Sequence, residues 1–352
     1  MQSTKLIGLG ATALKSNFVR LQKPYKLNFA ITMKCQSRCL HCNIWQLKPT
    51  GELTIEEIKE FAKKNGSFKW VELTGGEPFL RSDIVDIARA FKEGSKELYA
   101  LTTPTNSLCS NELVVSRLTE ILKLRIPRVI VTLSLDGYRE VHDRVRGVPG
   151  NFDKVMTLAR RFVELKKEYS NFSFVFGYTI NKFNEGQLIR TVEEVTKELP
   201  GITANDFHIN LAQNSSNYYH NENNQIKAAS DDMVAELEQF LKLRKPQFEP
   251  MQLVEGAFLK NLLVFAKSGK QPMRSRSLEA SLFLDSWGNV YPSIMWDRKI
   301  ANVRDVGFNL NSIWMGKEAE DVRAAIKRGD EPVQWTSCEA YQSIVGNVGS
   351  LL

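Results

Sequence analysis

The sequence predicts an α/β protein, an incomplete (β/α)6 barrel followed by a small α+β extension. Two patterns lead there. From Lys26 to about residue 211, short runs rich in β-branched and aromatic residues alternate with longer amphipathic stretches, at the spacing of crossover units. From about residue 245 that rhythm stops, and a hairpin signal appears between Asp285 and Asn289. A chain of 352 residues has room for one large domain and a smaller one.

The elements follow in order. Residues 1–25 carry Lys5, Lys15, Arg20 and Lys23 and no acid. Leu6, Ile7, Leu9, Leu14, Phe18, Val19 and Leu21 form a loose apolar stripe. The segment reads either as a helix covering the bottom of the barrel or as a basic amphipathic anchor touching a membrane surface. Gly8 and Gly10 weaken the helix and favour the packing role. Residues 26–32 are the first strand. Thr54 and Glu57 form a capping box that opens a helix to about Lys64. The second strand covers 70–73, and Ser82 or Asp83 starts the next helix. Strands at 98–102, 128–135, 172–180 and 207–211 are separated by helices at 112–124, 152–169 and 185–199. Six units fall short of a full barrel, and their functional loops belong at the C-terminal ends of the strands. Beyond the core come an apolar helix at 251–265, two short strands within 281–292 and a helix at about 318–327. The expected division is 1–25, 26–244 and 245–352.

Composition excludes several classes. Hydrophobic content of 43% and charged content of 25% are those of an ordinary globular protein. No apolar run approaches the ~20 residues that span a bilayer, and no secretory h-region is present. The net charge of +7 has no Arg/Lys block behind it, so no nucleic-acid partner is expected. Clustered, unpaired cysteines suit a reducing, low-oxygen cytoplasm.

The chemistry concentrates at Cys35, Cys39 and Cys42, three of the five cysteines. Thiolates hold iron–sulfur clusters, and three ligands on a four-iron cluster leave one iron open. A zinc knot needs a fourth ligand at fixed spacing, and His41 lies inside the run, poorly placed to share a metal with both neighbours. After the second strand come Gly75, Gly76, Glu77 and Pro78, where consecutive glycines permit close backbone approach. Asn106 follows the third strand. Ser134 and Asp136 close the fourth, and Arg146 stands a short way on.

Together these residues resemble the radical S-adenosylmethionine (SAM) superfamily, whose barrel is TIM-like and incomplete. The C-x3-C-x2-C run is similar to its signature, with His41 as the ring residue before the last cysteine. The resemblance implies one [4Fe–4S] cluster on Cys35, Cys39 and Cys42. It implies SAM chelated at the open iron and reductive cleavage to a 5′-deoxyadenosyl radical that abstracts hydrogen from a substrate. Gly75, Gly76, Glu77 and Pro78 look like the motif that binds the SAM amino group. The segment Thr105–Asn106–Ser107 looks like the family's Thr-Asn-Gly near the adenosine, with Ser107 in place of glycine. Ser134 and Asp136 match the fourth-strand motif that contacts SAM, and Arg146 matches the arginine that meets the SAM carboxylate, a role suited to a guanidinium fork. His142 reads as a structural or capping histidine.

Residues 275–345 resemble the SPASM/twitch extension of radical SAM maturases. Ser293 stands where that extension places a cluster cysteine, none stands in 331–335, and only Cys338 remains. The extension is therefore expected in fold but emptied of metal. Cys109 reads as a buried or incidental thiol. The polar stretch 214–224, with Tyr218, Tyr219 and His220 as candidate substrate contacts, reads as a lid or a plain surface loop. Implied partners are an electron donor such as flavodoxin or ferredoxin, docking near Lys26, Lys34 and Arg38, and an unidentified peptide or small-molecule substrate. The alternative is an inactive iron–sulfur or zinc-binding sensor.

Overall fold

The computed structural model describes residues 2–347. Helix α1 (Gln2–Lys15) precedes β1 (Lys26–Thr32). Then come α2 (Ile55–Lys64), β2 (Trp70–Gly75), α3 (Ile84–Gly94), β3 (Ala100–Thr105), α4 (Asn111–Lys123) and β4 (Arg128–Ser134). The core continues with α5 (Glu140–Arg146), α6 (Asn151–Glu168), β5 (Phe172–Ile180), α7 (Leu188–Glu198) and β6 (Phe207–Leu211). The C-terminal part holds α8 (Ser230–Leu243), α9 (Pro250–Ser268), β7 (Ser281–Leu284), β8 (Asn289–Tyr291), β9 (Ala301–Asn302), α10 (Leu310–Trp314), α11 (Lys317–Arg328) and α12 (Ser337–Val345).

One open sheet of nine strands runs β6-β5-β4-β3-β2-β1-β7-β8-β9. β1 to β6 are parallel neighbours in sequence order, so each crossover is a helix and the sheet is an unclosed (β/α)6 barrel. β7 adds to the free edge of β1, parallel to it, with Lys26 opposite Ser281. β8 and β9 then turn back antiparallel.

Local chemistry explains the elements. The capping box is made: Glu57 N donates to Thr54 Oγ1 at 3.2 Å, and Thr54 N to Glu57 Oε2 at 2.9 Å. Strand β5 alternates. Phe172, Phe174, Phe176, Tyr178 and Ile180 are buried, and Phe162 of α6 sets its ring 5.3 and 5.6 Å from Phe172 and Phe174. Each such buried side chain contributes about 1.5–3 kcal/mol. The alternate strand positions, among them Glu72, Thr102, Thr132 and Thr179, line the hollow instead.

Four helices were not expected from the sequence: α5, α8, α10 and α12. Strand β3 also runs two to three residues later than its apolar run suggests. Its pairing with β2 stops at Thr102, before Pro104, whereas pairing with β4 continues to Thr105. The largest surprise is α12, which lies inside the curl of the sheet. Lys26 Nζ of β1 donates to Cys338 O at 2.6 Å, and Tyr341 Oη sits 3.1 Å from His208 Nδ1 of β6. The Tyr341 ring stacks on Trp70 at 5.7 Å. The helix thus fills the seam that six strands leave open.

Helix α1 packs at the opposite end from the functional loops. Leu6 and Leu9 meet Trp70, Tyr99 and Ala100 at the starts of β2 and β3, and Ala13 joins Leu21, Tyr25 and Ala280. No helix among the described residues is long and apolar enough to cross a membrane.

Candidate functional site

The cysteine loop follows β1 and has no regular structure of its own, so its shape comes from its neighbours. Three elements hold it. The end of α5 accepts from it: Arg38 N donates to Arg146 O and Leu40 N to Val145 O, both at 2.9 Å. Gly147 permits that approach, with φ +66 and a position where a Cβ would stand 2.9 Å from Arg38 Cβ. The end of β2 donates to the chain leading in, Gly76 N to Thr32 O and Glu77 N to Lys34 O, both at 2.8 Å. Segment 214–224 covers the far side: Asn43 N donates to Tyr219 O at 2.9 Å, and Asn221 Nδ2 to His41 O at 2.7 Å.

The glycines are packed tightly against the chain that leads into the cysteine loop. A Cβ on Gly75 would run into Thr32 O, and one on Gly76 into Lys34 O and to within 3.0 Å of Cys35 Cβ. What they let near is the backbone of the cysteine loop. Glu77 is buried, and its carboxylate accepts from Asn106 N at 2.7 Å and Phe79 N at 3.1 Å. Burial pushes that carboxyl up to about 7, against the pull of the two amides. Pro78 is buried in the turn that follows.

Polar groups approach the thiols. Ser37 Oγ lies 3.1 Å from Cys39 Sγ, Asn106 Nδ2 donates toward Cys35 Sγ at 3.6 Å, and Arg146 Nη1 toward Cys39 Sγ at 3.7 Å. Arg146 also pairs through Nε with Asp136 Oδ2 at 2.7 Å. Burial, and then the neighbouring Cys39, push the Cys35 thiol up to about 12 and Cys42 higher still. Three thiolates here repel one another unless a cationic centre sits among them. Among the described residues, no three His, Cys, Asp or Glu side chains converge as one metal ion requires. A four-iron cluster asks for wider spacing, because each thiolate takes a different iron. His41 is half-buried, but its Nδ1 is enclosed and lacks a partner, and desolvation holds the ring down at about 4.

A cavity of 240 Å³ opens among these groups. Cys35, Cys39, Cys42, Gly76, Ser134 and Arg146 line it. Asp136 stands behind Arg146. A second chamber of 350 Å³ reaches toward the strand starts and shares Glu72, Thr102, Thr132, His208 and Ser337 with the first. Together they fall in the range of about 300–1,000 Å³ found for small-molecule sites.

Several residues named from the sequence stand in places that the sequence did not indicate. Tyr218 is not on a loose loop. Its hydroxyl sits 2.9 Å from Thr74 Oγ1 and donates to Gly75 O at 3.1 Å. Cys338 lines the cavity rather than an outlying domain, with Sγ 3.6 Å from Glu72 Oε1. Lys26, expected near a docking face, is fully buried with its Nζ 4.5 Å over the Trp70 ring. Lys34 and Arg38 are exposed. His142 is structural, as expected: Nδ1 accepts from Asp136 N at 3.1 Å, and Nε2 pairs with Asn151 Oδ1 at 3.0 Å. Cys109 is buried in the main core.

An open α/β barrel with three cysteines after its first strand defines a class of iron–sulfur proteins. Residues 29–195, a little under half of the chain, match the model of the radical SAM superfamily. It is 31% identical over 192 residues to the AdoMet-dependent heme synthase of Methanosarcina barkeri, covering 53% of this chain and 51% of that protein. It is 29% identical over 162 residues to the subtilosin biosynthesis protein AlbA of Bacillus subtilis, covering 43% of this chain and 34% of that one. The chain thus spans between about a third and a half of the length of these relatives. Among solved structures, Streptococcus suis SuiB bound to S-adenosylmethionine superposes with TM-score 0.61 at 19% identity, over 89% of this chain and 70% of that one. The enzyme anSMEcpe with bound AdoMet superposes with TM-score 0.59 at 17% identity, over 85% of this chain and 82% of that one. These establish the likeness in fold. The superfamily's cofactors are a [4Fe–4S] cluster and SAM.

Proposed function

We propose that this chain is a radical SAM enzyme, with Cys35, Cys39 and Cys42 holding one [4Fe–4S] cluster and the adjoining cavity holding SAM. The observation that carries the reading is convergence. The three thiols, the glycine turn, Ser134 and the Asp136–Arg146 pair come from separate strand ends and border one cavity. When bound, the cluster supplies the electron that splits SAM to a 5′-deoxyadenosyl radical, the species that takes hydrogen from a substrate.

The chain's own residues prepare that site. Glu77 ties the glycine turn to Asn106 and so fixes the two loops relative to each other. Arg146 brings one positive charge to a crowd of thiolates, and Asp136 orients it. Asn106 and Ser37 supply donors to sulfur. Tyr218 and the segment 214–224 lie over the cysteine loop and keep water from it.

Domain limits of 1–25, 26–244 and 245–352 are part of the proposal, with the last a SPASM/twitch-like wall. So are a cytoplasmic setting and a flavodoxin- or ferredoxin-type donor meeting exposed Lys34 and Arg38. A peptide substrate has support from similar proteins, since SuiB has been solved with its precursor peptide SuiA. The test is anaerobic reconstitution. Iron and sulfide in equal amounts, a reduced-cluster spectrum altered by SAM, and release of 5′-deoxyadenosine support the reading. Zinc in place of iron, or no cleavage of SAM, overturns it.

A further inference from the structure

One end of the molecule presents large apolar side chains with nothing over them. Ile7, Ala11, Leu14 and Phe18 succeed one another at steps of four, three and four, the spacing of a single helix face. The helical turn runs on past α1, since Phe18 N and Val19 N both donate to Lys15 O. Ile7 is 69% exposed, Leu14 46%, Phe18 79% and Val19 47%. Another face of the same helix holds it down through Leu6, Leu9 and Ala13. The helix is thus fixed by one apolar face and offers a second to the outside. Phe248, 89% exposed, stands at the same end of the barrel, next to Glu249, which pairs with Arg128 at the start of β4.

The segment that carries this stripe has charge of one sign. Residues 1–25 contain four cations and no acid. The acids contributed by packed neighbours are Glu320, which pairs with Arg20, and Glu97, which lies 3.8 Å from Lys69. Lys15 and Lys23 are exposed and form no ion pair among the described residues. Lys5 shares the end with Lys92 and Lys69. Partial burial and these two cations hold its ammonium below the usual range, with Glu97 opposing them.

We infer that this end docks on an anionic lipid bilayer, with Ile7, Leu14, Phe18 and Val19 at the headgroup–acyl boundary and Lys15 and Lys23 on lipid phosphates. A convex helix with apolar residues on top and long cations at the flanks is the form of a segment lying in an interface plane. The apolar face adds transfer energy, the cations add attraction to anionic headgroups, and neither needs a spanning helix. An acidic protein partner would use the cations and leave Phe18 dispensable.

Co-sedimentation of the full chain with phosphatidylglycerol vesicles tests this, with phosphatidylcholine vesicles as the comparison. The readout needs neither cluster nor SAM, so its outcome is independent of the catalytic reading. The expected result is binding to phosphatidylglycerol alone, weakened by raised salt. Phe18→Glu should lower the partition coefficient at least about tenfold, through lost apolar transfer and added repulsion. Lys15→Gln should lower it about fivefold. Both side chains are exposed, so the variants should keep the wild-type melting temperature, and circular dichroism checks that. Absence of binding to phosphatidylglycerol overturns the inference. So does binding that Phe18→Glu leaves unchanged, which would assign the face to charge alone and to an acidic protein.

Discussion

Replacing Asp136 with Asn tests the ion pair that braces the cysteine loop. Asp136 is wholly buried, and its two oxygens have separate partners. Oδ1 accepts from Thr179 N at 2.9 Å, and Oδ2 lies 2.7 Å from Arg146 Nε. Burial favours the neutral acid, but Arg146, then His41 and the Thr179 amide, outweigh it and hold the carboxyl below its ordinary value. An Asn side chain keeps the first contact and turns an NH2 toward the guanidinium in place of the second. The Arg146 side chain, 11% exposed, is then a buried charge facing a donor. Removing one member of a buried pair costs about 3–5 kcal/mol. That is about a fifth or more of a typical stability of about 5–15 kcal/mol. Anoxic urea unfolding should show the midpoint falling at unchanged slope. Iron retained after desalting should fall too, because Arg146 would leave Cys39. The double variant Asp136→Asn/Arg146→Met should recover stability without recovering iron. A loss below about 1 kcal/mol, the worth of an exposed pair, would refute the bracing role.

Three further outcomes follow from single residues. Gly76→Ala should reduce iron incorporation rather than SAM affinity alone, because the added methyl meets Lys34 O and the Cys35 side chain; full iron content in that variant would return the glycine to the SAM pocket. Ser107 sits at φ +59, where a left-handed conformation costs a non-glycine residue about 1–2 kcal/mol, so Ser107→Gly should raise the melting temperature, and no rise would mean its side chain compensates. His142 is held down at about 4 by burial, then by Arg146, so the unfolded chain binds the extra proton between roughly pH 6.5 and 4 and stability falls as pH drops through that window. Unfolding midpoints at pH 7 and 5 should converge in His142→Gln more than in the wild type.

What the sequence made legible was local. The capping box, the alternation of β5 and the spacing of the cysteines each carry their signal within a few residues. The rim residues were placed together because a parallel sheet puts all its strand ends on one side. Arg146 and Asp136 were both named, yet their pairing was not, since it depends on how α5 turns back toward β4. The same limit hid the hydrogen bond from Tyr218, named only as a candidate substrate contact, to Gly75, 143 residues away. Lys26 misled for a related reason. A lysine at the start of a strand is normally solvated, and here the Cys338 carbonyl of α12 and the Trp70 ring of β2 together enclose it. Helix α8 was within reach: Met233, Leu237, Phe240 and Leu241 keep helical spacing after Asp231 and Asp232.

The C-terminal region bears on how many clusters the chain holds. In the proposed SPASM-like reading, Ser293 and the stretch 331–335 occupy positions where relatives carry cluster cysteines. Ser293 is fully buried and Gln334 is 2% exposed. Gln334 Nε2 donates to Ser293 Oγ at 3.3 Å, and Met295 N to the same oxygen at 3.2 Å. A polar hydrogen-bonded contact thus stands where a metal centre would need thiolates and space. The region keeps its shape by other means. Asp285 accepts from Trp287 N and Asn289 N at 2.9 and 2.8 Å to close the hairpin, and Arg304 reaches Glu57 of α2 at 2.6 Å. Cys338 is one thiol, held near Glu72, and cannot ligate a four-iron cluster alone. The chain should therefore carry about four irons when fully reconstituted. Replacing Cys338 or Cys109 by Ala should leave that count and the cluster absorbance unchanged, whereas replacing Cys35, Cys39 or Cys42 should abolish both. A count near eight per chain would sink the reading, because the second cluster would have to displace the Ser293–Gln334 contact.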